Sequence, residues 1–391
     1  MTSWRTTLIH PGVAAPEGFH SLVSPTYRGS TTLFRSAADV QDTWRQEELA
    51  YSYGLYGTPT TLELAARIGE LERARHTLLT PGGQAAIALI YLAFARSGDH
   101  VLVPDSIYGP NRALADGLLA SLGIDVTYYD PLIGQDVEAL LRPNTRLIWC
   151  ESPGSVTMEV QDVPAIAAVA RRHGIVVALD NTYAAGILFD AFAHGVDVSM
   201  QALTKYVGGH SDLLLGSVSV REESHYTALG KIHQLLGMAV SPDDGSLALR
   251  GLQTLGVRLD QLERGTLAVA RWLGEQRHIQ TVLHPALPSC PGHENWARDF
   301  TGSASVFSVV FASHLSKDSL IGLIDRLRLF KIGYSWGGVT SLAVPYFDAV
   351  RQVRSYGGRL VRFNIGLEDP SDLIADLEQA FAALGGEMLR K

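Results

Sequence analysis

The sequence is short of several things, and each shortage excludes a class of function. Only two of its 391 residues are cysteine, Cys150 and Cys290. They form no CxxC pair and no disulfide framework, which leaves two thiols in a reducing compartment as the expectation. No run of lysine or arginine makes a basic stripe, since 32 basic residues stand against 40 acidic ones, for a net charge of −8. Nucleic acid requires clustered positive charge, so it is not an expected partner. A polybasic grip on a membrane surface is excluded for the same reason. No stretch of 18 apolar residues occurs, so no transmembrane helix is expected. The opening segment MTSWRTTLIHPGVAAPEGFH lacks the apolar centre of a signal peptide. The cytoplasm is the expected location. There is no internal repeat and no low-complexity tract.

What is there suits a large globular protein. Hydrophobic residues make up 46% of the chain, enough for sizeable cores. The length predicts two or three units. Charged residues are only 18%, which fits some surface being buried between subunits. Residues 1–58 are irregular and rich in Ser, Thr, Gly and Tyr. They read as an arm lying against a neighbouring subunit. From about residue 60 to 250 helical and strand-like runs alternate. TLELAARIGELERA, AAIALIYLAFA and VPAIAAVARRHG have helical spacing, while HVLVP, IDVTYYD, TRLIWCES, IVVALDN and VDVSMQAL read as strands. The alternation predicts an α/β unit with a mostly parallel sheet. LIWC and IVVAL are apolar throughout, as strands covered on both faces are. Residues 251–391 predict a smaller C-terminal α+β domain. Its helices are LDQLERGTLAVARWLGEQRH and SDLIADLEQAFAAL, the latter capped by Asp or Ser, and its strands are SASVFSVVFA and RLVRFNIGL.

Four features carry candidate chemistry. Asp180 follows the apolar run Ile175–Leu179, at the carboxyl end of a buried strand, where open α/β sheets bind ligands. Taken singly it reads more readily as a helix cap or a loop ion pair. Lys205 follows another strand-like run. A lysine is seldom buried without a reason, and desolvation makes its amine a better nucleophile toward a carbonyl. Gly82-Gly83-Gln84, just before a helix, can bring backbone N–H groups to an anion. Thr204, beside Lys205, adds a hydroxyl. Tyr108, after HVLVP, can stack on a flat ring. Each alone is ordinary. Together they are what pyridoxal phosphate requires: an anion cradle, a stacking platform, a carboxylate for the pyridine nitrogen, and an amine for the aldehyde.

Longer segments strengthen this. YGLYGTPT, SGDHVLVPDSIYGP, ESPGSVTMEVQDVPAI, ALDNTYAAGILF, QALTKYVGGHSD, HPALPSCPGHENWARDFTG and VRFNIGLEDPSDLIADL together resemble the Cys/Met-metabolism family of pyridoxal-phosphate enzymes along nearly the whole chain. The resemblance implies an aspartate aminotransferase-type (fold type I) architecture and a homotetramer of two dimers. It implies that Lys205 is the Schiff-base lysine and proton shuttle, that Asp180 is the partner of the pyridine nitrogen, and that Tyr108 stacks and assists proton transfer. Gly83, Gln84 and Thr204 match phosphate-binding positions. Tyr53 matches a tyrosine that an adjacent subunit lends to the phosphate. Arg362 matches the arginine for the substrate α-carboxylate, and a guanidinium fork suits that group. One departure stands out. Leu55 occupies a place where many members have a phosphate-binding arginine, and Tyr56 and Arg45 are both candidates to replace it. In the segment Tyr334-Ser335-Trp336, Tyr334 matches a position where γ-acting members often have a glutamate, and the aromatic pair resembles the β-lyase version. The resemblance therefore implies β-cleavage of cystathionine to homocysteine, pyruvate and ammonia. A broader cysteine-S-conjugate β-lyase, a γ-acting relative, and a regulatory protein retaining the fold are the other readings.

Overall fold

The computed structural model describes residues 4–9, 22–45, 51–349 and 351–388. Seven strands form the larger sheet: β1 His76–Thr80, β2 His100–Pro104, β3 Asp125–Tyr129, β4 Thr145–Glu151, β5 Val176–Asp180, β6 Val198–Gln201 and β7 Gly216–Val220. Their order is β1-β7-β6-β5-β4-β2-β3. Strands β3, β2, β4, β5 and β6 pair in parallel, while β7 runs antiparallel to both its neighbours. The sheet is mostly parallel, as the alternating pattern predicts.

The apolar runs explain the layers. Leu147 and Trp149 of β4 pack with Ile87 and Ile90 of the helix Gly83–Phe94. Ile148 and Cys150 point the other way, onto Val163 and Ile166 of the helix Val163–Arg172. A strand covered on both faces has no reason to alternate with polar residues. Local signals place the helix starts. Pro59 opens the helix Pro59–Glu72, Asp162 accepts the Ala165 amide at 3.2 Å, and Asp369 accepts the Ser371 amide at 2.8 Å before the terminal helix.

A second, four-stranded antiparallel sheet contains β8 Ile279–Leu283, β9 Val306–Phe311, β10 Leu342–Pro345 and β11 Leu360–Asn364, in the order β10-β11-β9-β8. Its core includes Leu320, Leu323, Leu373 and Leu377 from helices packed on it. The 33-residue helix Pro242–Gly274 joins the two sheets. Leu252, Leu255 and Leu259 of that helix belong to the core behind Lys205, and Val269, Ala270 and Leu273 belong to the core of the small sheet. The change of texture near residue 250 therefore falls inside one helix.

Behind the large sheet lies a buried polar layer. Glu72 is 4% exposed and accepts the Ser199 hydroxyl at 2.6 Å. Ser219, Gln201 and Asn181 also lie against its carboxyl, and burial pushes that carboxyl up from its ordinary value despite them. Both cysteines are free and buried. Among the described residues no helix is long and apolar enough to cross a membrane, and no cluster of His, Cys, Asp or Glu could hold a metal.

Candidate active site

A cavity of about 300 Å³ opens at the carboxyl ends of the parallel strands, where this architecture binds ligands. It brings together Gly83, Gln84, Tyr108, Asp180, Thr204, Lys205, Trp336 and Arg362 from six segments of the chain. Tyr334 and Ser335 line an adjoining cavity that shares Thr204 and Trp336. Tyr334 is 82% exposed at its mouth. Tyr53 lies outside both cavities and is half-exposed, its ring edge-on to Tyr56 at 6.5 Å.

Lys205 sits in the turn after β6. That turn is held by bonds from the Lys205 amide to the Ala202 carbonyl at 3.0 Å and from the Gly209 amide to the Lys205 carbonyl at 2.7 Å. From behind, the buried Arg258 guanidinium donates to the Tyr206 carbonyl at 2.6 Å and to the Gly251 carbonyl at 2.7 Å. Gly251 must be glycine, because a Cβ there would collide with the Val207 carbonyl. The Lys205 Nζ donates to the Ser335 hydroxyl at 2.6 Å and stands 5.3 Å from the centre of the Trp336 ring. Burial, then the charge of Arg362, pushes the amine down to about 8, with Asp180 opposing.

Asp180 ends β5. Its Oδ1 accepts the Thr182 amide at 3.0 Å, and burial pushes its carboxyl up while Thr182 and Lys205 hold it down. Arg362, in the middle of β11, is 7% exposed. It donates to the Ser335 carbonyl at 3.1 Å and lies 5.0 Å from the centre of the Tyr346 ring. Among the described residues no carboxylate pairs with it. A buried cation without a counter-ion is costly, and an anionic ligand removes that cost. Burial pushes the Tyr108 hydroxyl up, and Glu151, Asp180 and Tyr346 add to the effect.

The anion end is built from backbone. Gly83 begins the helix Gly83–Phe94, and a Cβ at Gly83 would lie 2.7 Å from the Ala202 Cβ. Only glycine lets the helix start come this close to the Lys205 turn. The Thr204 hydroxyl accepts the Leu215 amide at 3.0 Å, and the Gln84 side chain donates to the Pro110 carbonyl at 3.0 Å. Leu55 lies in the short turn Gly54–Tyr56 and does not line the cavity. Neither candidate replacement lines the cavity of its own chain, and the contact in question is one expected across a subunit interface. Arg45 pairs with Glu223 at 2.5 Å and donates to Thr227 at 2.7 Å, and the Tyr56 hydroxyl donates to Asp42 at 2.7 Å.

Three residues at or beside the cavity escape the sequence reading. Glu151 ends β4 in register with Asp180 and lines the same cavity. It follows LIWC just as Asp180 follows IVVAL, so the same strand-end signal was available. Tyr346 and Arg351 come from a loop after β10. Arg351 donates to the Ser155 carbonyl at 2.5 Å, and nothing local in the sequence indicates that pairing.

The residues present fit pyridoxal phosphate. The helix start and Thr204 suit its phosphate, Asp180 its ring nitrogen, and Lys205 its aldehyde. Strand order and cavity thus define an α/β enzyme of the pyridoxal-phosphate class. The family model described as Cys/Met metabolism PLP-dependent enzyme matches residues 5–382, and the chain belongs to that family. It is 44% identical to a putative cystathionine beta-lyase of Rhizobium johnstonii, over 97% of this chain and 96% of that one. It is 41% identical to cystathionine beta-lyase MetC of Escherichia coli, over 97% and 98%. Among solved structures, metB from Corynebacterium glutamicum matches with a TM-score of 0.89 at 29% identity, covering 98% of each chain.

Proposed function

We propose that this chain cleaves the β-carbon–sulfur bond of cystathionine, releasing homocysteine, pyruvate and ammonia, as a cytoplasmic homotetramer of two dimers serving methionine metabolism. The observation that carries the reading is the buried Arg362, lacking a carboxylate partner among the described residues, on the same cavity as Lys205 and Asp180. The names borne by the relatives above support the substrate.

Lys205 would bond the cofactor aldehyde, and Asp180 would partner the ring nitrogen. Gly83, Gln84 and Thr204 would hold the phosphate, with Tyr53 lent by an adjacent subunit. Bound there, pyridoxal phosphate supplies an electron-withdrawing ring that stabilises negative charge at the substrate α-carbon. Arg362 grips the α-carboxylate through two parallel hydrogen bonds, which fixes the α-carbon over Lys205. Tyr334, Ser335 and Trp336 border the path of the sulfur substituent.

Between Lys205 and Tyr108, the lysine is the better base. Its amine is pushed down to about 8, so a usable fraction is neutral at pH 7, whereas the Tyr108 hydroxyl is pushed up and keeps its proton. Set free when the substrate amine takes its place on the aldehyde, Lys205 Nζ would take the α-proton and then deliver it to the departing sulfur. Tyr108 would serve as the stacking platform and keep its own proton.

The test is a product assay with purified protein and cystathionine. Pyruvate with homocysteine supports the reading. 2-Oxobutyrate with cysteine would replace it with a γ-acting one. Equal or better turnover of cystine or S-alkylcysteines would widen it to general S-conjugates.

A further inference from the structure

Glu151 at the end of β4 pairs in register with Asp180 at the end of β5. Neighbouring strands lie about 4.8 Å apart, so two carboxyl groups face one cavity side by side. They are not equally provided for. Asp180 accepts the Thr182 amide at 3.0 Å and has the Lys205 amine nearby. Glu151 is 7% exposed, and its Oε2 accepts the Tyr108 amide at 2.8 Å. Its own backbone is fixed from behind. The Glu151 amide donates to Gln161 Oε1 at 2.8 Å, Gln161 Nε2 donates to the Tyr129 hydroxyl at 2.9 Å, and that hydroxyl donates to the Trp149 carbonyl at 2.6 Å. The carboxyl is therefore mounted on a buried frame and reaches forward to the foot of the Tyr108 ring. No step assigned above uses it.

We propose that Glu151 is a positioning residue, whose carboxyl holds the Tyr108 amide and so sets the place of the Tyr108 ring over the cofactor pocket. This rests on the reading of the cavity as a pyridoxal-phosphate site. Charge matters alongside position. Two adjacent negative charges in a desolvated site disfavour each other, and the group with less support keeps its proton. Burial and the neighbouring Asp180 push Glu151 well up, against the amides of Tyr108 and Ser155 and the guanidinium of Arg351. Asp180 is then left as the anion facing the ring nitrogen. A neutral Glu151 still accepts the Tyr108 amide, and a glutamine imitates it closely.

The experiment compares the wild-type holoenzyme with Glu151→Gln and Glu151→Ala. Three quantities are read: the rate of cofactor loss on dialysis, the pH titration of the visible absorption band, and the kcat and KM for cystathionine. Glu151→Gln is expected to match wild type within about twofold in all of them. Glu151→Ala is expected to lose cofactor on the order of tenfold faster, with kcat falling more than KM rises, as follows from losing an anchored ring. A large loss of activity in Glu151→Gln would mean that the charge itself is used, and would overturn the proposal. So would an alanine variant with unchanged cofactor retention and an unchanged kcat. Should Glu151→Ala fail to fold, Glu151→Asp, whose shorter carboxyl pulls back from the Tyr108 amide, takes its place with the same expected losses. A wild-type protein that takes up no pyridoxal phosphate sinks the pocket reading and this proposal with it, a failure visible before any variant is made.

Discussion

The Nζ of Lys205 donates to the hydroxyl of Ser335 at 2.6 Å, although 130 residues separate them. Ser335 also offers its carbonyl to Arg362 at 3.1 Å, and its φ is 80°, in the left-handed region that non-glycine residues rarely adopt. One serine from the C-terminal part of the chain thus touches the two cationic groups proposed to act on substrate. The hydroxyl favours the ammonium form of Lys205 by accepting from it. Ser335→Ala removes that acceptor at no added backbone cost. The acid limb of the kcat–pH profile should then move about one unit lower, since a hydrogen bond to a charged group is worth about 1.5 kcal/mol or more. An unmoved limb would show that Lys205 does not set it.

Arg362→Lys keeps a positive charge but loses the two-pronged geometry. KM for cystathionine should rise about 30-fold or more, as expected for about 2 kcal/mol lost from a desolvated carboxylate contact. Cofactor absorption should be unchanged, because Arg362 is assigned to substrate alone. Steady-state kinetics with the absorption spectrum as control checks this, and an unaltered KM would remove Arg362 from the substrate contact.

Asp180→Asn preserves shape and removes the charge proposed to face the ring nitrogen. A loss in kcat of about 10²–10³-fold is expected, typical of deleting one preorganised electrostatic group. The phosphate contacts are untouched, so cofactor should still copurify. A kcat within threefold of wild type would contradict the role.

Glu72 gives a prediction about stability. Burial raises its folded pKa above the unfolded value of about 4.3. The folded state therefore holds this proton more tightly than the unfolded state. The resulting stability is fully present below about pH 4 and is lost as pH rises through the folded pKa. Glu72→Gln imitates the protonated form and should remove that loss. Its melting temperature should match wild type near pH 4 and exceed it at pH 8 by about 2–4 °C for each kcal/mol recovered. Thermal melts at the two pH values test it, and a gap that shrinks with rising pH would reverse the assignment.

Much of this was legible in the sequence, for a physical reason. In a sheet covered on both faces the strand interiors are purely apolar, so the first polar residue after each run marks a strand end. That is how Asp180 stands out, whereas Lys205 follows β6, which carries the polar Ser199 and Gln201, and stands out only by its residue type. The same rule, applied to LIWC, points to Glu151. Strand β7 was hidden by its own chemistry. GSVSV alternates serine with valine and looks half-exposed, yet every residue in it is buried, with Ser219 against Glu72 in the polar layer behind the sheet. Contacts between distant segments were out of reach altogether. Asp105 accepts the amides of Gln352 and Val353 at 2.6 and 2.8 Å, and no local pattern in either segment announces the other.

The helix Pro242–Gly274 has one further consequence. At 33 residues it is about 50 Å long. Its middle braces the lysine turn through Gly251 and Arg258, and its last turns are part of the small sheet's hydrophobic interior. Neither half of the molecule can come apart without fraying this shared beam. Heating or denaturant should therefore give a single sharp transition, and a chain cut after residue 250 should yield two fragments that are each insoluble rather than two stable pieces.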